Sequence, residues 1–189
     1  MNSYDLNNPR DLAGYYTEEE IAAMTDEDKL DALNKIWRNY CISDTYEPGS
    51  TAKPFTIASA LEEGKIASNM QFTCDGSEHV GGWNIKCHKK SGHGVISIQQ
   101  SLAYSCNDAM MQTVVAEGKD VFVDYQSRFG FGSKTRIDLP GEESCENLVK
   151  DATMGDADLA TNSFGQNFNT TMIQLAAGFS SVINGGYYY

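Results

Sequence analysis

Long apolar runs and basic residues are both scarce in this sequence. No uninterrupted apolar stretch approaches the roughly 18 residues of a membrane-spanning helix, and the first residues lack the pattern of a signal peptide. The 14 lysines and arginines are outnumbered by 26 aspartates and glutamates, which gives a formal net charge of -12. Such a charge repels nucleic acid and anionic membrane surfaces, so both are excluded as partners.

The composition that remains is that of one folded domain. Hydrophobic residues make up 41% of the chain and aromatic residues 11%, which is typical of globular proteins and not of disordered ones. A length of 189 residues suffices for one domain with a hydrophobic core and is too short for two. No internal repeat and no low-complexity tract divides the chain, so residues 1–189 are treated as one unit.

Helix signals dominate the pattern along the chain. Thr17 and Thr25 are each followed three residues later by an acidic side chain, which predicts two successive helix starts. One face of the second helix carries apolar residues, which predicts that this face packs on a core. These residues are Leu30, Leu33, Ile36 and Trp37. Strands are expected near the two ends, within 1–16 and from 187 to 189, and a glycine-rich loop over 70–94. Further helices are predicted over 52–61, 95–104, 107–115 and 171–182.

A hydroxyl and an amine lie one helical turn apart in "TYEPGSTAKPFT". Ser50 and Lys53 share one face of the helix that follows Pro48-Gly49. Serine is a poor nucleophile until a base removes its proton, and a lysine can act as that base when burial and a helix N-terminus lower its pKa. The same N-terminus offers backbone N–H groups to a developing oxyanion. The pair therefore suits acyl transfer, although an N-capping serine beside a solvated lysine has the same spacing.

Several longer segments, in the same order, resemble those of the class B penicillin-binding proteins, the transpeptidases that cross-link peptidoglycan. The resemblance covers almost the whole chain, and "EPGSTAKPFT" together with "SCN" is its most specific part. The paired cysteines and "SFGQ" are most similar to the sporulation and septal types of this family. The segments that carry it are "YDLNNPR", "LNKIWRN", "YEPGSTAKPFT", "HGVISIQQSLAYSCNDAM", "FGFGSKTRIDLPGE" and "SFGQNFNTTMIQLAAGFSSVINGG".

The resemblance implies an α+β chain with the β-lactamase/transpeptidase-like fold. This chain would supply mainly the helical lobe and the first sheet strand, with the C-terminal sheet strands missing. By the same resemblance Ser50 is the acylated nucleophile and Lys53 its base. Ser105 would relay a proton, and Asn107 would hold an amide of the substrate.

The implied reaction is acyl transfer without a cofactor. Ser50 would attack the penultimate D-alanine carbonyl of a peptidoglycan stem peptide, D-alanine would leave, and a neighbouring amine would take the acyl group. β-Lactams would trap the acyl-enzyme. The family works at the outer face of the cytoplasmic membrane, with an anchor outside these residues, and its implied partners are division or sporulation cell-wall proteins.

Two departures from the family pattern bear on this interpretation. Ala52 stands where the family carries a larger apolar side chain, and the third family motif, Lys-Thr/Ser-Gly, is expected downstream of Tyr189. "KSG" at 90–92 and "KTR" at 134–136 do not replace it. A partial transpeptidase domain, inactive alone, is therefore expected. The alternatives are a serine β-lactamase, which would need a base to activate water, and a non-catalytic penicillin-binding or penicillin-sensing module.

The chain has five cysteines, and their odd number leaves at least one outside any intramolecular disulfide. The family's extracytoplasmic setting makes Cys74 and Cys87 natural disulfide partners. A second possibility is zinc, because Cys74, Cys87, His93 and Cys106 offer three sulfurs and a nitrogen, although their spacing matches no compact zinc finger. Free thiols are the third possibility. His79 and His88 are expected to face solvent.

Overall fold

Helices contribute more residues than strands to the computed structural model, which describes residues 4–143, 151 and 153–188. The α-helices of this part are α1 Glu18–Ala23, α2 Asp26–Trp37, α3 Tyr40–Ser43, α4 Lys53–Glu62, α5 Ile98–Ala103, α6 Asn107–Glu117, α7 Lys119–Arg128, α8 Asp156–Asn162 and α9 Met172–Ile183. The strands are β1 Thr45–Tyr46, β2 Gln71–Cys74, β3 Ser77–Val80, β4 Trp83–Lys86, β5 Gly94–Ser97 and β6 Thr170–Thr171. A 3₁₀ turn, Gly49–Ala52, leads directly into α4.

The core is built around α4 and α6, which pack against each other. Helix α6 also contacts α7, α8 and β2, and Met110 and Met111 on it are fully buried. The main cluster adds Ile57 from α4, Phe72 from β2 and Ile96 from β5. A helix enclosed on several sides needs apolar residues around most of its circumference, which explains why α6 shows little amphipathic pattern in the sequence.

The strands form three antiparallel pairs, namely β1 with β6, β2 with β5, and β3 with β4. The prediction of a loop over 70–94 was therefore wrong, because Phe72 and Cys74 alternate with exposed neighbours and bury one face of β2. The helix predicted over 95–104 was wrong at its start. Ser97 caps α5 in a capping box with Gln100, so the residues before it are free to pair as β5.

The N-terminal segment shows both the strength and the limit of local patterns. The capping boxes at Thr17 and Thr25 are confirmed. The predicted face of α2 is confirmed at Leu33, which is buried with Ala32 and Leu12, and at Ile36 and Trp37, which pack against this cluster. Leu30, however, is 54% exposed, so it was wrongly placed on that face. Residues 4–16 form turns without a strand, and the first three residues of the predicted strand lie outside the described part.

At the other end, α9 begins after Thr171 and ends at Ile183, close to its predicted bounds. The strand predicted for 187–189 is wrong for Tyr187 and Tyr188, which are not in a strand, and Tyr189 lies outside the described residues. Within the described ranges, no helix combines the length and the apolar character that crossing a membrane requires.

A close backbone contact holds the turn that carries Ser50. The Gly49 N–H donates to the Gly165 carbonyl at 2.8 Å. Gly165 has a φ of +85°, and a Cβ there would lie 1.9 Å from the Gly49 carbonyl oxygen. Only glycine therefore fits at this position, because a side chain would both strain the backbone and push the turn away.

We expect Gly165→Ala to lower the free energy of unfolding by about 2–4 kcal/mol, since it adds a backbone clash to an unfavourable φ. Gly64→Ala is the matched control, because Gly64 has a φ of +62° and a Cβ added there would meet open space. The control should cost only about 1–2 kcal/mol, the strain of the left-handed conformation. Urea unfolding of both variants measures the difference, and equal losses would contradict the clash.

Candidate active site

The side chain of Lys53 joins the residues singled out in the sequence. Its Nζ lies 3.2 Å from Ser50 Oγ, 2.8 Å from Ser105 Oγ, and 2.8 Å from Asn107 Oδ1. It also lies 2.6 Å from the Ser105 carbonyl oxygen. Ser105 Oγ in turn lies 2.8 Å from Ser50 Oγ, which closes a triangle of two hydroxyls and one amine. The structure therefore brings all four predicted residues together.

Local backbone features place each of these groups. Pro54 fits into the first turn of α4, where no intrahelical N–H is lost, so Lys53 can begin the helix directly after the Ser50 turn. Ser105 has a φ of +52°, an uncommon conformation for a residue with a side chain and one often found at functional sites. Cys106, and not Asn107, is the N-cap of α6. Asn107 begins the helix, and its side chain turns to Lys53 instead.

The contacts around the amine accommodate its neutral form. A lysine ammonium has three N–H donors and no acceptor, whereas four oxygen atoms surround Lys53 Nζ. A neutral amine satisfies the set by donating to the Ser105 carbonyl and Asn107 Oδ1 and by accepting from a hydroxyl. In that arrangement the proton of Ser50 can pass to the amine directly or through Ser105.

Burial of the Lys53 side chain also favours the neutral form of its amine. The Lys53 side chain is 2% exposed, whereas Ser50 is exposed at the surface. Burial lowers the pKa of Lys53 to about 8, and the nearby thiol groups of Cys87 and Cys106 oppose that shift. An amine with a pKa near 8 can be neutral in a useful fraction of molecules at physiological pH, as a general base requires.

Two features near Ser50 were missed from the sequence. The Gly165 carbonyl holds the Ser50 turn, as described above, and Glu47 Oε1 accepts from the Asn167 backbone N–H at 2.8 Å. Both contacts join segments more than a hundred residues apart, so neither of them has a local signal in the sequence. The letters "KSG" at 90–92 lie elsewhere, since Gly92 packs against the backbone of Cys74 and not against Ser50.

A second cluster of functional groups lies behind the Ser105–Asn107 segment. We call it the thiol–histidine cluster, and its ligand atoms all lie within 4.8 Å of one another. Cys74 Sγ is 3.4 Å from His93 Nδ1, and Cys87 Sγ is 3.8 Å from the same nitrogen and 4.0 Å from Cys106 Sγ. Its members are Cys74, Cys87, His93 and Cys106.

Cys74 and Cys87 are free thiols in the structure, without the disulfide that was one of the three possibilities for them. Their sulfurs are close, but both turn toward His93 and Cys106. Burial raises the pKa of Cys74, and a hydrogen bond with Asp108 adds to it. Burial opposes ionisation of Cys87 as well, yet backbone amides, that of Lys89 foremost, leave its pKa lowered. His79 and His88 are exposed as expected, and Cys145 lies outside the described residues.

This chain shares its fold with several solved structures. A peptidoglycan glycosyltransferase from Burkholderia ambifaria superposes with a TM-score of 0.71 at 22% identity, over 77% of this chain and 45% of the other. Penicillin-binding protein 3 from Mycobacterium tuberculosis, in complex with aztreonam, gives 0.69 at 24% identity, over 76% and 32%. At these identities the similarity establishes the fold, an incomplete α+β transpeptidase domain, as predicted.

Sequence comparison gives the family. The family model of the penicillin binding protein transpeptidase domain matches residues 15–189. Stage V sporulation protein D of Bacillus subtilis is 39% identical over 80% of this chain and 24% of its own length. Peptidoglycan D,D-transpeptidase FtsI of Escherichia coli K12 is 31% identical over 89% and 29%. The chain belongs to the penicillin-binding protein transpeptidase family, and it spans about a quarter of the length of these relatives.

We expect Lys53 to titrate near pH 8 in NMR spectra of the lysine side chains, below the ordinary value of 10.5. Because the unfolded chain keeps this proton up to its ordinary pKa, stability contributed by Lys53 should rise with pH between these two values. Lys53→Met assigns the signal, and Asn107→Asp should raise the pKa, since a carboxylate favours the ammonium. Titration of every lysine above about pH 10 would contradict a buried neutral amine.

Proposed function

We propose that this chain carries the acylating half of a peptidoglycan D,D-transpeptidase site, with Ser50 as its nucleophile. The observation that supports the proposal most is the direct contact of an exposed hydroxyl with a buried amine whose pKa is lowered, Ser50 with Lys53. Membership of the transpeptidase family supplies the reaction class. The substrate is then a stem peptide that ends in D-alanyl-D-alanine.

In the first step Ser50 Oγ attacks the penultimate D-alanine carbonyl while its proton passes to Lys53, directly or through Ser105. The resulting oxyanion carries a negative charge that backbone N–H groups at the Ser50 turn can bind. The C–N bond then breaks, the proton moves to the departing D-alanine amine, and an ester to Ser50 remains. Asn107 would hold the peptide backbone of the substrate, with its amide oriented by Lys53.

In the second step an amine of a neighbouring stem peptide attacks the ester. Its proton returns through Lys53 to Ser50 Oγ as the ester bond breaks, so a new amide forms and the enzyme is restored. A β-lactam ring would open by the same attack and stay on Ser50, as expected for a relative of a protein solved with aztreonam. Partners among division or sporulation cell-wall proteins, and a location at the outer face of the cytoplasmic membrane, follow from the named relatives as part of this proposal.

The serine β-lactamase alternative has less support. Rapid deacylation needs a base that activates water, and the acidic residue closest along the chain to Ser50, Glu47, is engaged with the Asn167 amide. A non-catalytic binding or sensing module would share the acylation step but not the transfer to an amine. The lifetime of the penicillin adduct, and its release by an added amine, distinguishes these three functions.

We expect mass spectrometry of the penicillin-treated full-length protein to place the adduct on the peptide that contains Ser50. Ser50→Ala should abolish the adduct, and Lys53→Met should slow its formation by about 100-fold or more, as expected for loss of a general base. Ser68→Ala, at an exposed serine, is the control and should behave as the unaltered protein. An adduct that persists in Ser50→Ala would contradict the assignment.

A further inference from the structure

We propose that a groove beside the Ser50 turn binds the protonated side-chain amine of the donor stem peptide, the strand whose D-alanine carbonyl Ser50 attacks. The inference rests on the proposed function and deepens it, because it names a further part of the substrate and the residues that hold it. We call this groove the amine groove, and the residues that matter for its chemistry are Glu47, Trp83, Asn84, Asp158, Gln166 and Asn167.

Segments that are distant in the sequence build the amine groove. The tip of the β3–β4 hairpin, helix α8 with the segment after it, and Glu47 before the Ser50 turn all line it. Its volume is about 570 Å³, which is within the range of pockets that hold small molecules. Because Glu47 belongs to the same short segment as Ser50, the groove adjoins the nucleophile.

Backbone packing holds Trp83 at the groove. Gly81 and Gly82 both have a positive φ and make the tight turn of the hairpin. A Cβ on Gly81 would lie 2.9 Å from the Ala157 backbone nitrogen, so the turn packs directly on the first turn of α8. Ile85 on the same hairpin packs against the main core cluster. Trp83 is therefore 69% exposed on a supported strand, where its ring is accessible to a ligand.

Hydrogen bonds hold the carboxylates of the groove. Asn167 has a φ of +64°, and its backbone N–H donates to Glu47 Oε1 at 2.8 Å. Its side-chain amide donates to Asp158 Oδ1, and the Gly155 N–H donates to Asp158 Oδ2 at 3.3 Å. Both carboxylates are thus oriented by N–H donors, so a ligand has little ordering left to impose on them.

The charge of the groove selects a cation. Glu47 and Asp158 are acidic, and none of the described residues that line the groove is a lysine, an arginine or a histidine. A cleft lined by charge of one sign concentrates ligands of the opposite sign. The exposed face of Trp83 adds to this, because the ring of an indole attracts ammonium groups. Two carboxylates beside one indole therefore fit a primary ammonium better than an anionic or a neutral group.

The proposed reaction places such an amine on the donor. Cross-linking joins stem peptides of one kind, and the acceptor attacks through an amine of its own peptide, so the donor carries the same amine unreacted. Nearby carboxylates favour the protonated form of an amine. This suits the donor amine, which stays protonated, whereas the acceptor amine must lose a proton before it attacks. The amine groove therefore fits the donor strand and not the acceptor.

The reach of the donor is consistent with this assignment. The Cα atoms of Glu47 and Ser50 are at most about 11 Å apart, since consecutive Cα atoms are separated by about 3.8 Å. The residue before the penultimate D-alanine lies one such step from the carbonyl that Ser50 attacks, and a long side chain extends several ångströms further. An amine at the end of that side chain can therefore reach Glu47 while the donor carbonyl is at Ser50.

Two peptides that differ only at one amine test the proposal. Both are Nα-acetyl-L-lysyl-D-alanyl-D-alanine, one with the lysine amine free and one with it acetylated. Each competes with a fluorescent penicillin for Ser50 of the full-length protein, and the labelling rate is measured. We expect the free-amine peptide to halve the rate at an about fivefold lower concentration, the effect of one ammonium at an exposed carboxylate and indole.

Variants locate the amine. Glu47→Gln removes the charge but keeps an oxygen that can accept from Asn167, and Trp83→Ala removes the indole. Each should bring the ratio between the two peptides close to one. Glu27→Gln is the matched control, since Glu27 is an exposed glutamate on α2 outside the groove, and it should keep the ratio of the unaltered protein. Comparing the two peptides within each variant cancels any change in the labelling rate itself.

Equal competition by the two peptides in the unaltered protein, or none by either, would overturn the proposal. A preference for the free amine that both variants keep would overturn it as well. A preference seen only when the peptide accepts the acyl group would assign the groove to the acceptor strand instead, and competition by a peptide-free glycan fragment that Trp83→Ala abolishes would assign it to a sugar. Failure of penicillin to label Ser50 in the unaltered protein would refute the proposed function.

Discussion

One buried amine, that of Lys53, determines how the rest of this site is arranged. Lys53 begins α4 directly after the Ser50 turn, and its side chain reaches Ser105 and Asn107 at the start of α6. Burying a lysine is unfavourable unless its amine is neutral or fully paired, so the two helices must supply polar partners at the place where they meet. The packing of α4 on α6 therefore creates the base and aligns its nucleophile at the same time.

The parts of the site that share one local segment could be predicted from the sequence. Ser50 and Lys53 are one turn apart, so a helix start was enough to place them on one face. The capping boxes at Thr17 and Thr25 are equally local, since each closes within four residues. Placing Ser105 and Asn107 beside Lys53 needed the resemblance to the family, because 52 and 54 residues of chain separate them from it.

The errors lie where distant segments decide the structure. Strands β2 and β5 pair across a glycine-rich stretch that reads locally as a loop, and their register is set by Phe72 and Ile96 entering the core. The sequence left the state of Cys74 and Cys87 open, and only the fold brings their sulfurs, His93 and Cys106 within 4.8 Å of one another. The Gly165 contact with Gly49 gave no local signal either, since a glycine required by close approach looks like any turn glycine.

The pH dependence of the rate at which penicillin acylates Ser50 in the full-length protein tests the central claim most directly, that a neutral Lys53 is the base. The pKa of about 8 predicts a rate that rises with pH and levels off above that value, because the fraction of neutral amine controls the attack. Asn107→Asp should move the midpoint to higher pH. A rate that does not change between pH 6 and about 9.5, roughly the range around this pKa, would contradict the claim.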